Sequence, residues 1–315
     1  MLYMSADGGG TKLIVLLYDE NFRLISKGVS GGTNVNFRPL EDVREDMRDA
    51  LYQCLGDSHP VIEMLSCVIV GPGEVFLEEA KKLADIRRFD LVNEGQMALM
   101  AGAGTKWGML ALSGTGSDVF VLQPEWTDFI GGWGTILGDE GSGYDLGAKA
   151  LRAAIWAHDG RGPDSLILPY LMEAWKLQVP WDMVPKVYGE RDPRRLVASV
   201  TRIAAKAACD GDEVAKKLFA DAGHELALLV RAVMKKHRDG IEGPVVISGG
   251  TWKGYSGMYD AFREEVNTWH PELVILKPEF EPIIGGLVWQ AMERGMKKEE
   301  FWPVLQKEYG EYRYG

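Results

Sequence analysis

Two short glycine-rich segments of this sequence have the composition of phosphate-binding turns. The first, Asp7-Gly8-Gly9-Gly10-Thr11-Lys12, follows a β-like run, and the second, Ser113-Gly114-Thr115-Gly116-Ser117, lies between the apolar runs 107–112 and 119–122. Glycine lets the backbone turn sharply, so that several N–H groups can converge on one anion without a positive side chain. One such turn is usually only the end of a hairpin. Two of them, each between strands, predict an internal duplication in which both turns face one cleft.

Further polar residues stand close to these turns. Asp7 ends its strand, so its carboxylate is expected beside whatever the first turn binds. Residues 131–143 contain six glycines together with Trp133, which we interpret as a buried tryptophan, and Asp139. Because glycine loses much conformational entropy on folding, such a segment is expected to shape a site rather than a core. Ser142 and Asp145, three residues apart, predict a helix that begins directly after this segment.

Strand and helix patterns alternate along the chain. Residues 2–26 have the pattern of a three-stranded antiparallel meander, a helix and buried strands follow, and the plan restarts at residue 107 with a long helical region from 164 to 236. This succession predicts an α/β fold with mixed sheets. The chain of 315 residues is long enough for two domains. We place them at residues 1–106 and 107–315, with the last helix able to pack back on the first domain.

Later segments carry glycines or aromatic residues at positions that indicate close packing or ligand contact. Gly249-Gly250-Thr251 ends a buried strand pattern, and Gly285-Gly286 lies in the last long helix, which Pro282 opens. Without a side chain, Gly285 permits the close approach of either backbone or a flat ligand. Aromatic residues at helical spacing in 301–309 favour either a packed terminal helix or a homodimer contact.

Composition excludes several classes of function. The net charge of −11 argues against nucleic-acid binding, which depends on Lys and Arg neutralising phosphates, although backbone N–H groups can still hold a small anion. No apolar run approaches about 18 residues, so neither export nor a membrane span is predicted. The three cysteines, Cys54, Cys67 and Cys209, are far apart, which favours a reducing cytoplasm over a disulfide framework.

Five of these motifs resemble, in order, the motifs of the N-acetylglucosamine kinases, which belong to the BadF/BadG/BcrA/BcrD ATPase family. The resemblance covers the chain from Ser5 to about Ala291. It implies the two-domain actin-like, ribonuclease H-like ATPase fold, with duplicated mixed sheets around a nucleotide cleft. The motifs that carry it are Asp7–Thr11, Ser113–Ser117, Gly131–Gly134, Gly138–Ser142 and Ser248–Thr251.

The resemblance also implies roles for these residues. It implies an ATP-dependent kinase that transfers the γ-phosphate to the 6-hydroxyl of a hexosamine such as N-acetylglucosamine. The two glycine turns, residues 8–12 and 113–117, would hold the phosphates, and Asp7 would reach a water bound to Mg²⁺. The residues implied against adenosine are Gly249, Gly250, Thr251 and Gly285, and those implied at the sugar are Asn34, Gly132, Trp133 and Asp139.

The chain departs from the family pattern at two places. The catalytic base is usually Asp in an Asn-Asp-Ala segment, whereas this chain has Asn93-Glu94-Gly95. We expect Glu94, which is one methylene longer, to take the proton of the acceptor hydroxyl. The second departure, Val70-Gly71-Pro72-Gly73 near the sugar, leaves glucosamine, N-acetylglucosamine and N-acetylmuramic acid open as substrates.

Two alternatives remain. An ATPase activator of a radical dehydratase or reductase needs cysteine ligands for an iron–sulfur cluster, and none of the cysteines lies in a glycine-rich loop. A sugar- or nucleotide-binding protein that had lost catalysis through Glu94 would bind its ligands without forming ADP.

Overall fold

The chain forms two compact units in a computed structural model that describes residues 1–9, 12–35, 38–237 and 240–315. The first unit consists of residues 1–106 and 278–315, and the second of residues 107–277. The boundary after Lys106 is the one expected from the sequence. Residues 278–315, which the sequence places in the second domain with the last helix able to pack back on the first, lie in the first unit. Phe301, Leu305 and their apolar neighbours are buried in its core.

The first unit is built on a six-stranded mixed sheet of order β3-β2-β1-β4-β5, with β6 also paired to β4. Its strands β1, β2 and β3 form the expected antiparallel meander, and β4, β5 and β6 add parallel pairs. The strand bounds are β1 (Leu2–Gly8), β2 (Lys12–Asp19), β3 (Leu24–Gly31), β4 (Val61–Ile69), β5 (Asp85–Ile86) and β6 (Phe89–Leu91).

Helices cover both faces of this sheet. In β2, Leu13, Val15 and Leu17 enter one core and Ile14, Leu16 and Tyr18 the other, since successive side chains of a strand point to opposite faces. One face is covered by α1 (Leu40–Leu55) and α2 (Gly73–Leu83). The other is covered by α3 (Glu94–Ala103) and by the C-terminal helices α11 (Gly285–Glu293) and α12 (Lys298–Glu308). The aromatic tail is therefore a packed terminal helix.

The second unit repeats this plan with a five-stranded sheet of order β11-β10-β7-β8-β9. An antiparallel meander is again followed by parallel strands, which confirms the duplicated mixed sheets. The strands are β7 (Gly108–Ser113), β8 (Ser117–Leu122), β9 (Thr127–Gly131), β10 (Val245–Ser248) and β11 (Ile275–Leu276). The sequence did not reveal β9, because this edge strand has no buried side chain.

Seven α-helices of the second unit lie in its described residues and enclose a core of mostly aliphatic side chains. They are α4 (Gly143–Asp159), α5 (Ile167–Trp175), α6 (Met183–Tyr188), α7 (Pro193–Ser199), α8 (Thr201–Cys209), α9 (Glu213–Lys236) and α10 (Gly257–Trp269). Ser142 caps α4 as expected, since its hydroxyl accepts the Asp145 N–H at 3.1 Å. In the described part of the chain, no helix combines the length and the apolar character needed to cross a membrane.

Candidate active site

Two carboxylates lie at the carboxyl ends of parallel strands in the first unit. Asp7 is the penultimate residue of β1 and pairs in register with Val68 of β4. Glu94 comes shortly after β6, whose last residue, Leu91, pairs with Cys67 of the same β4 strand. Because these three strands are parallel, their ends meet at one edge of the sheet, which is where α/β proteins bind ligands. The fold therefore brings the two expected catalytic carboxylates together.

Glu94 is held at this edge by the start of a helix. It is the first residue of α3, and the side chain of the N-cap residue Asn93 accepts the Gly95 N–H at 2.8 Å. An Asn N-cap fixes the direction in which the chain enters the helix. The side chain of Glu94 is exposed and available to a substrate.

The electrostatics of both carboxylates are perturbed. Burial and, after it, the negative charge of Glu94 raise the pKa of Asp7 from 3.8 to about 6, against the opposing charge of Lys12. Desolvation by the surrounding protein disfavours the charged form of Glu94 and raises its pKa above the usual 4.5. Neighbouring carboxylates with raised pKa values are typical of sites that bind cations or transfer protons.

The donor set suits a magnesium ion that arrives with a nucleotide. Mg²⁺ takes oxygen ligands, keeps several waters and is usually held by one or two carboxylates together with substrate phosphates. Asp7 offers a half-buried carboxylate whose pKa is raised chiefly by burial, so that a cation brought to it would stabilise the charged form. Over the described ranges, His, Cys, Asp and Glu form no group of three or more that could hold an ion by themselves.

The first glycine turn is fixed by backbone hydrogen bonds to its neighbours. The Gly9 carbonyl accepts the Thr33 N–H at 2.8 Å, and the Gly8 carbonyl accepts the Val70 N–H at 2.7 Å. A Cβ on Gly8 would lie 2.8 Å from Thr33 Cγ2, so a larger residue does not fit. Asn34, expected at the sugar, follows Thr33 and so stands next to this turn. Gly10 and Thr11, which we expected in the same turn, lie outside the described residues.

The unusual Val70–Gly73 segment packs against the same loop. Gly71 has φ +142°, and a Cβ there would lie 2.3 Å from the Thr33 carbonyl oxygen. Only glycine combines this conformation with so close an approach. Gly71 therefore supports the loop that carries Asn34.

The second glycine turn joins β7 to β8. The Gly114 N–H donates to the Gly116 carbonyl at 2.9 Å, which closes the turn. The Gly114 carbonyl accepts the Gly143 N–H at 2.7 Å and the Thr251 hydroxyl at 3.2 Å. This carbonyl is thereby turned into the protein, and the helix α4 and the turn after β10 are tied to the same loop.

Two serine hydroxyls attach the second turn to the glycine-rich segment that follows. Ser113 Oγ donates to the Gly141 carbonyl at 2.8 Å, and Ser117 Oγ donates to the Glu140 carbonyl at 2.7 Å. Asp139 directly precedes Glu140 in the chain. It has a positive φ of 58°, and its side chain is only 3% exposed. Segment 138–142 is therefore part of the second turn's surroundings, as its composition suggested.

Asp139 has one satisfied and one unsatisfied oxygen. Its Oδ1 accepts the Gly134 N–H at 3.2 Å, whereas its buried Oδ2 has no hydrogen-bond partner. Arg194 is the nearest cation, with Nη2 at 3.5 Å from Oδ2. Sequence reasoning did not single out Arg194, because a basic residue in a helical region forms no motif by itself.

Trp133 is not the buried tryptophan that we had expected. Its surface is 72% exposed, and Ile136 and Leu137 in the same loop are exposed as well. The loop leaves β9 through Gly131 and Gly132, which both have positive φ values and direct it away from the core. Trp133 still lies beside Asp139 in space, since a Cβ on Gly138 would be 3.1 Å from the Trp133 Cβ.

The glycines expected at adenosine fall into two groups. Gly249 has φ +103°, and a Cβ there would be 2.2 Å from the Ser113 carbonyl oxygen, which places the turn 249–251 against the second loop. Gly250 has open space around it. Gly285 belongs to the first unit, where a Cβ would be 2.1 Å from the Met97 carbonyl oxygen of α3. Close approach of a helix backbone, one of the two expectations for Gly285, is what its neighbours show.

Comparison with known sequences decides the family. The sequence profile of the BadF/BadG/BcrA/BcrD ATPase family matches residues 6–290. The chain belongs to this family. Membership of this ATPase family implies that the chain uses ATP.

Relatives within this ATPase family are sugar kinases. The chain is 27% identical over 292 residues to an N-acetylmuramic acid/N-acetylglucosamine kinase of Clostridium acetobutylicum, covering 90% of this chain and 95% of the relative. It is 25% identical over 311 residues to an N-acetyl-D-glucosamine kinase of Dictyostelium discoideum, covering 90% and 96%. A solved structure from Porphyromonas gingivalis, a candidate N-acetylglucosamine kinase, superposes with a TM-score of 0.68 at 20% identity and covers 93% of this chain and 100% of the other. These likenesses confirm the actin-like ATPase fold.

The cysteines of this ATPase family member are poorly suited to an iron–sulfur cluster. Burial raises the pKa of the Cys54 thiol to about 11 and that of the Cys67 thiol further still. Cluster ligands are thiolates, whose formation this environment disfavours. Cys209 is exposed on α8 of the second unit. The activator alternative therefore gains no support from the thiols.

Proposed function

We propose that this ATPase family member is an amino-sugar kinase that transfers the γ-phosphate of ATP to the 6-hydroxyl of a hexosamine. The observation that carries the proposal is the pairing of Asp7 and Glu94 at one sheet edge beside a glycine turn. Phosphoryl transfer requires a nucleotide held by N–H donors and a metal ion, together with a carboxylate for the acceptor hydroxyl. Each of these requirements has a counterpart in the described residues.

Glu94 is the proposed general base. Its raised pKa makes it a stronger proton acceptor than an ordinary carboxylate. Its exposed side chain, anchored by the cap of α3, can reach a hydroxyl that is brought to the sheet edge. As the hydroxyl oxygen attacks the γ-phosphorus, its proton passes to a Glu94 carboxylate oxygen, the bond between the γ-phosphorus and the bridging oxygen breaks, and ADP leaves.

Asp7 is the proposed residue for Mg²⁺, through a water ligand. The ion would neutralise negative charge on the phosphates, and the same positive charge would stabilise ionised Asp7. The backbone N–H groups of each glycine turn that form no bond within the protein would hold phosphate oxygens. The N–H groups of Gly9 and Gly114 are not among them, since they donate to the carbonyls of Lys12 and Gly116. Gly249, Gly250 and Thr251, tied to the second turn, are proposed to contact adenosine.

N-acetylated hexosamines are the proposed substrates. The Clostridium and Dictyostelium relatives are both named as kinases of such sugars. Asn34, next to the first turn, and Asp139, next to the second, are proposed to bind sugar hydroxyls, with Gly132 and the exposed Trp133 beside them. A reducing cytoplasm is the proposed location, which is compatible with the buried free thiols Cys54 and Cys67.

A coupled assay of ADP release tests this function. Purified protein with Mg-ATP should release ADP rapidly with N-acetylglucosamine, N-acetylmuramic acid or glucosamine, and slowly without sugar. ATP turnover that is equally fast without sugar would contradict the proposal. Sugar binding without ADP release would instead favour a protein that had lost catalysis.

A further inference from the structure

A cationic side chain lies against the second glycine turn. Arg194 Nη2 is 3.5 Å from Asp139 Oδ2, and a Cβ placed on Gly116 would lie 3.2 Å from this nitrogen and 2.9 Å from this oxygen. Gly116 does not have the left-handed conformation that demands glycine. Its missing side chain therefore serves to let the guanidinium and the carboxylate approach the turn.

The contact with Asp139 leaves the N–H donors of the Arg194 guanidinium largely unused. The distance of 3.5 Å is longer than a charge-assisted hydrogen bond, and Asp139 Oδ2 indeed has no hydrogen-bond partner. The side chain of Arg194 is 48% exposed, and within the described part of the chain its guanidinium makes no hydrogen bond. Since a guanidinium carries five N–H donors, several remain available to a ligand.

Helix packing sets the place of Arg194 beside the turn. Arg194 is the second residue of α7, and Asp192 caps this helix by accepting the Arg195 N–H at 3.1 Å. The backbones of α7 and α4 are in direct contact at Gly147, where a Cβ would lie 2.0 Å from the Val197 carbonyl oxygen. Helix α4 in turn begins at Ser142, directly after the segment that holds Asp139. Arg194 is thus carried on a scaffold that is rigidly connected to the second turn.

We propose that Arg194 binds the terminal phosphates of the nucleotide at the second glycine turn, and that Asp139 orients its guanidinium towards Gly116. The inference rests on the ATP binding proposed above. The turn Ser113–Ser117 contains no positive side chain, and the protein carries a net charge of −11. A planar guanidinium matches two phosphate oxygens at once and supplies the charge that backbone N–H groups lack. During transfer the same contact offsets the charge on the phosphoryl oxygens.

Nucleotide titration without sugar tests this role apart from catalysis. Mg-ATP, Mg-ADP and adenosine are titrated calorimetrically into the wild type, Arg194→Ala, Arg194→Lys and the control Arg195→Ala, which removes an exposed arginine from the next position of α7. Arg194→Ala should weaken Mg-ATP binding about 10- to 100-fold and leave adenosine unchanged, as expected for a lost charge-assisted hydrogen bond. Arg194→Lys should be intermediate, and Arg195→Ala should match the wild type.

A double variant separates phosphate binding from simple neutralisation of Asp139. If Arg194 only neutralised this buried carboxylate, Asp139→Asn would restore both the melting temperature and the Mg-ATP affinity of Arg194→Ala. We expect the melting temperature to recover and the affinity to stay low. Recovered affinity, or unchanged affinity in Arg194→Ala, would overturn the inference and leave the kinase proposal intact. A wild type that binds no nucleotide would overturn both.

Discussion

Burial and, after it, the negative charge of Glu94 raise the pKa of Asp7 above its usual value of 3.8. The two residues are far apart in the sequence, but β4 pairs both with β1, which contains Asp7, and with β6, which precedes Glu94. Their electrostatic coupling means that a cation at Asp7 would also lower the proton affinity of Glu94. Metal binding and proton acceptance at this edge of the sheet should therefore depend on each other.

Two substitutions of Glu94 distinguish the need for a carboxylate from the need for a particular side-chain length. Glu94→Gln keeps the size of the side chain and removes the base, so kcat should fall about 10²- to 10⁴-fold while nucleotide affinity changes little. Glu94→Asp should keep much of the activity, since the shorter carboxylate is the residue usual in this family. Steady-state kinetics with the preferred sugar measures both effects.

Glu299→Gln is the matched control for this substitution. Glu299 is an exposed carboxylate in the first turn of α12, in the same unit. Its replacement should leave kcat unchanged. Wild-type kcat in Glu94→Gln would remove Glu94 from the base role.

Binding of Mg-ADP should depend on pH through Asp7. The pKa of Asp7 is raised to about 6, so the carboxylate becomes neutral as the pH falls through this value and loses its attraction for the magnesium ion. The dissociation constant should therefore rise below about pH 6, by up to tenfold per pH unit for a single proton. Asp7→Asn should bind weakly with no pH dependence in this range. An equally steep dependence in Asp7→Asn would assign the titration to another group.

The raised pKa of Asp7 also predicts that Asp7 contributes more to the stability of the protein without nucleotide as the pH falls, whereas the binding of Mg-ADP becomes weaker. A carboxylate whose pKa is raised by folding contributes stability below its unfolded pKa of 3.8, and this contribution is lost as the pH rises to about 6. Asp7→Asn should therefore match the wild type in melting temperature near pH 4 and exceed it near pH 7 in the absence of nucleotide. If Asp7→Asn melted below the wild type at neutral pH, ionised Asp7 would not destabilise the folded protein, and this prediction would be wrong.

A methyl group added to the second glycine turn should leave the stability of the fold unchanged but weaken nucleotide binding. A Cβ on Gly114 meets no protein atom within 4 Å, and Gly114 does not have a positive φ. Gly114→Ala should keep the wild-type melting temperature and weaken Mg-ATP binding, because the open side of this turn is where phosphate is proposed to bind. Gly310→Ala, at a glycine with equally open surroundings in the first unit, is the control. Unchanged affinity in Gly114→Ala would place the phosphates elsewhere.

Local patterns in the sequence predicted much of the fold. The meander at the N-terminus, its repetition after residue 107, the strand Val245–Ser248 and the Ser142 cap follow from alternation, periodicity and capping chemistry. These features depend on residues that are close in the chain. The edge strand β9 was missed because none of its side chains is buried, and periodicity reports burial.

The features that the sequence did not predict depend on distant parts of the chain. The sequence allowed the last helix to pack on the first domain, but no local pattern reveals that all of residues 278–315 lie there, in contact with β1, β4 and α3. Arg194 lies beside Asp139 only because α7 packs on α4, and Trp133 is exposed because two glycines direct its loop outwards. The roles of Asp7 and Glu94 were inferred from the family resemblance, and the pairing of β1 and β6 with β4 explains why both carboxylates lie at the same end of the sheet.

Identification of the reaction product by phosphorus NMR tests the central claim most directly. Incubation of the wild type with Mg-ATP and N-acetylglucosamine, N-acetylmuramic acid or glucosamine should give one phosphomonoester signal coupled to the C6 protons of the sugar, together with an equal amount of ADP. Glu94→Gln should form this product far more slowly. Release of inorganic phosphate with no sugar ester for any of these substrates would contradict the assignment of this chain as an amino-sugar kinase.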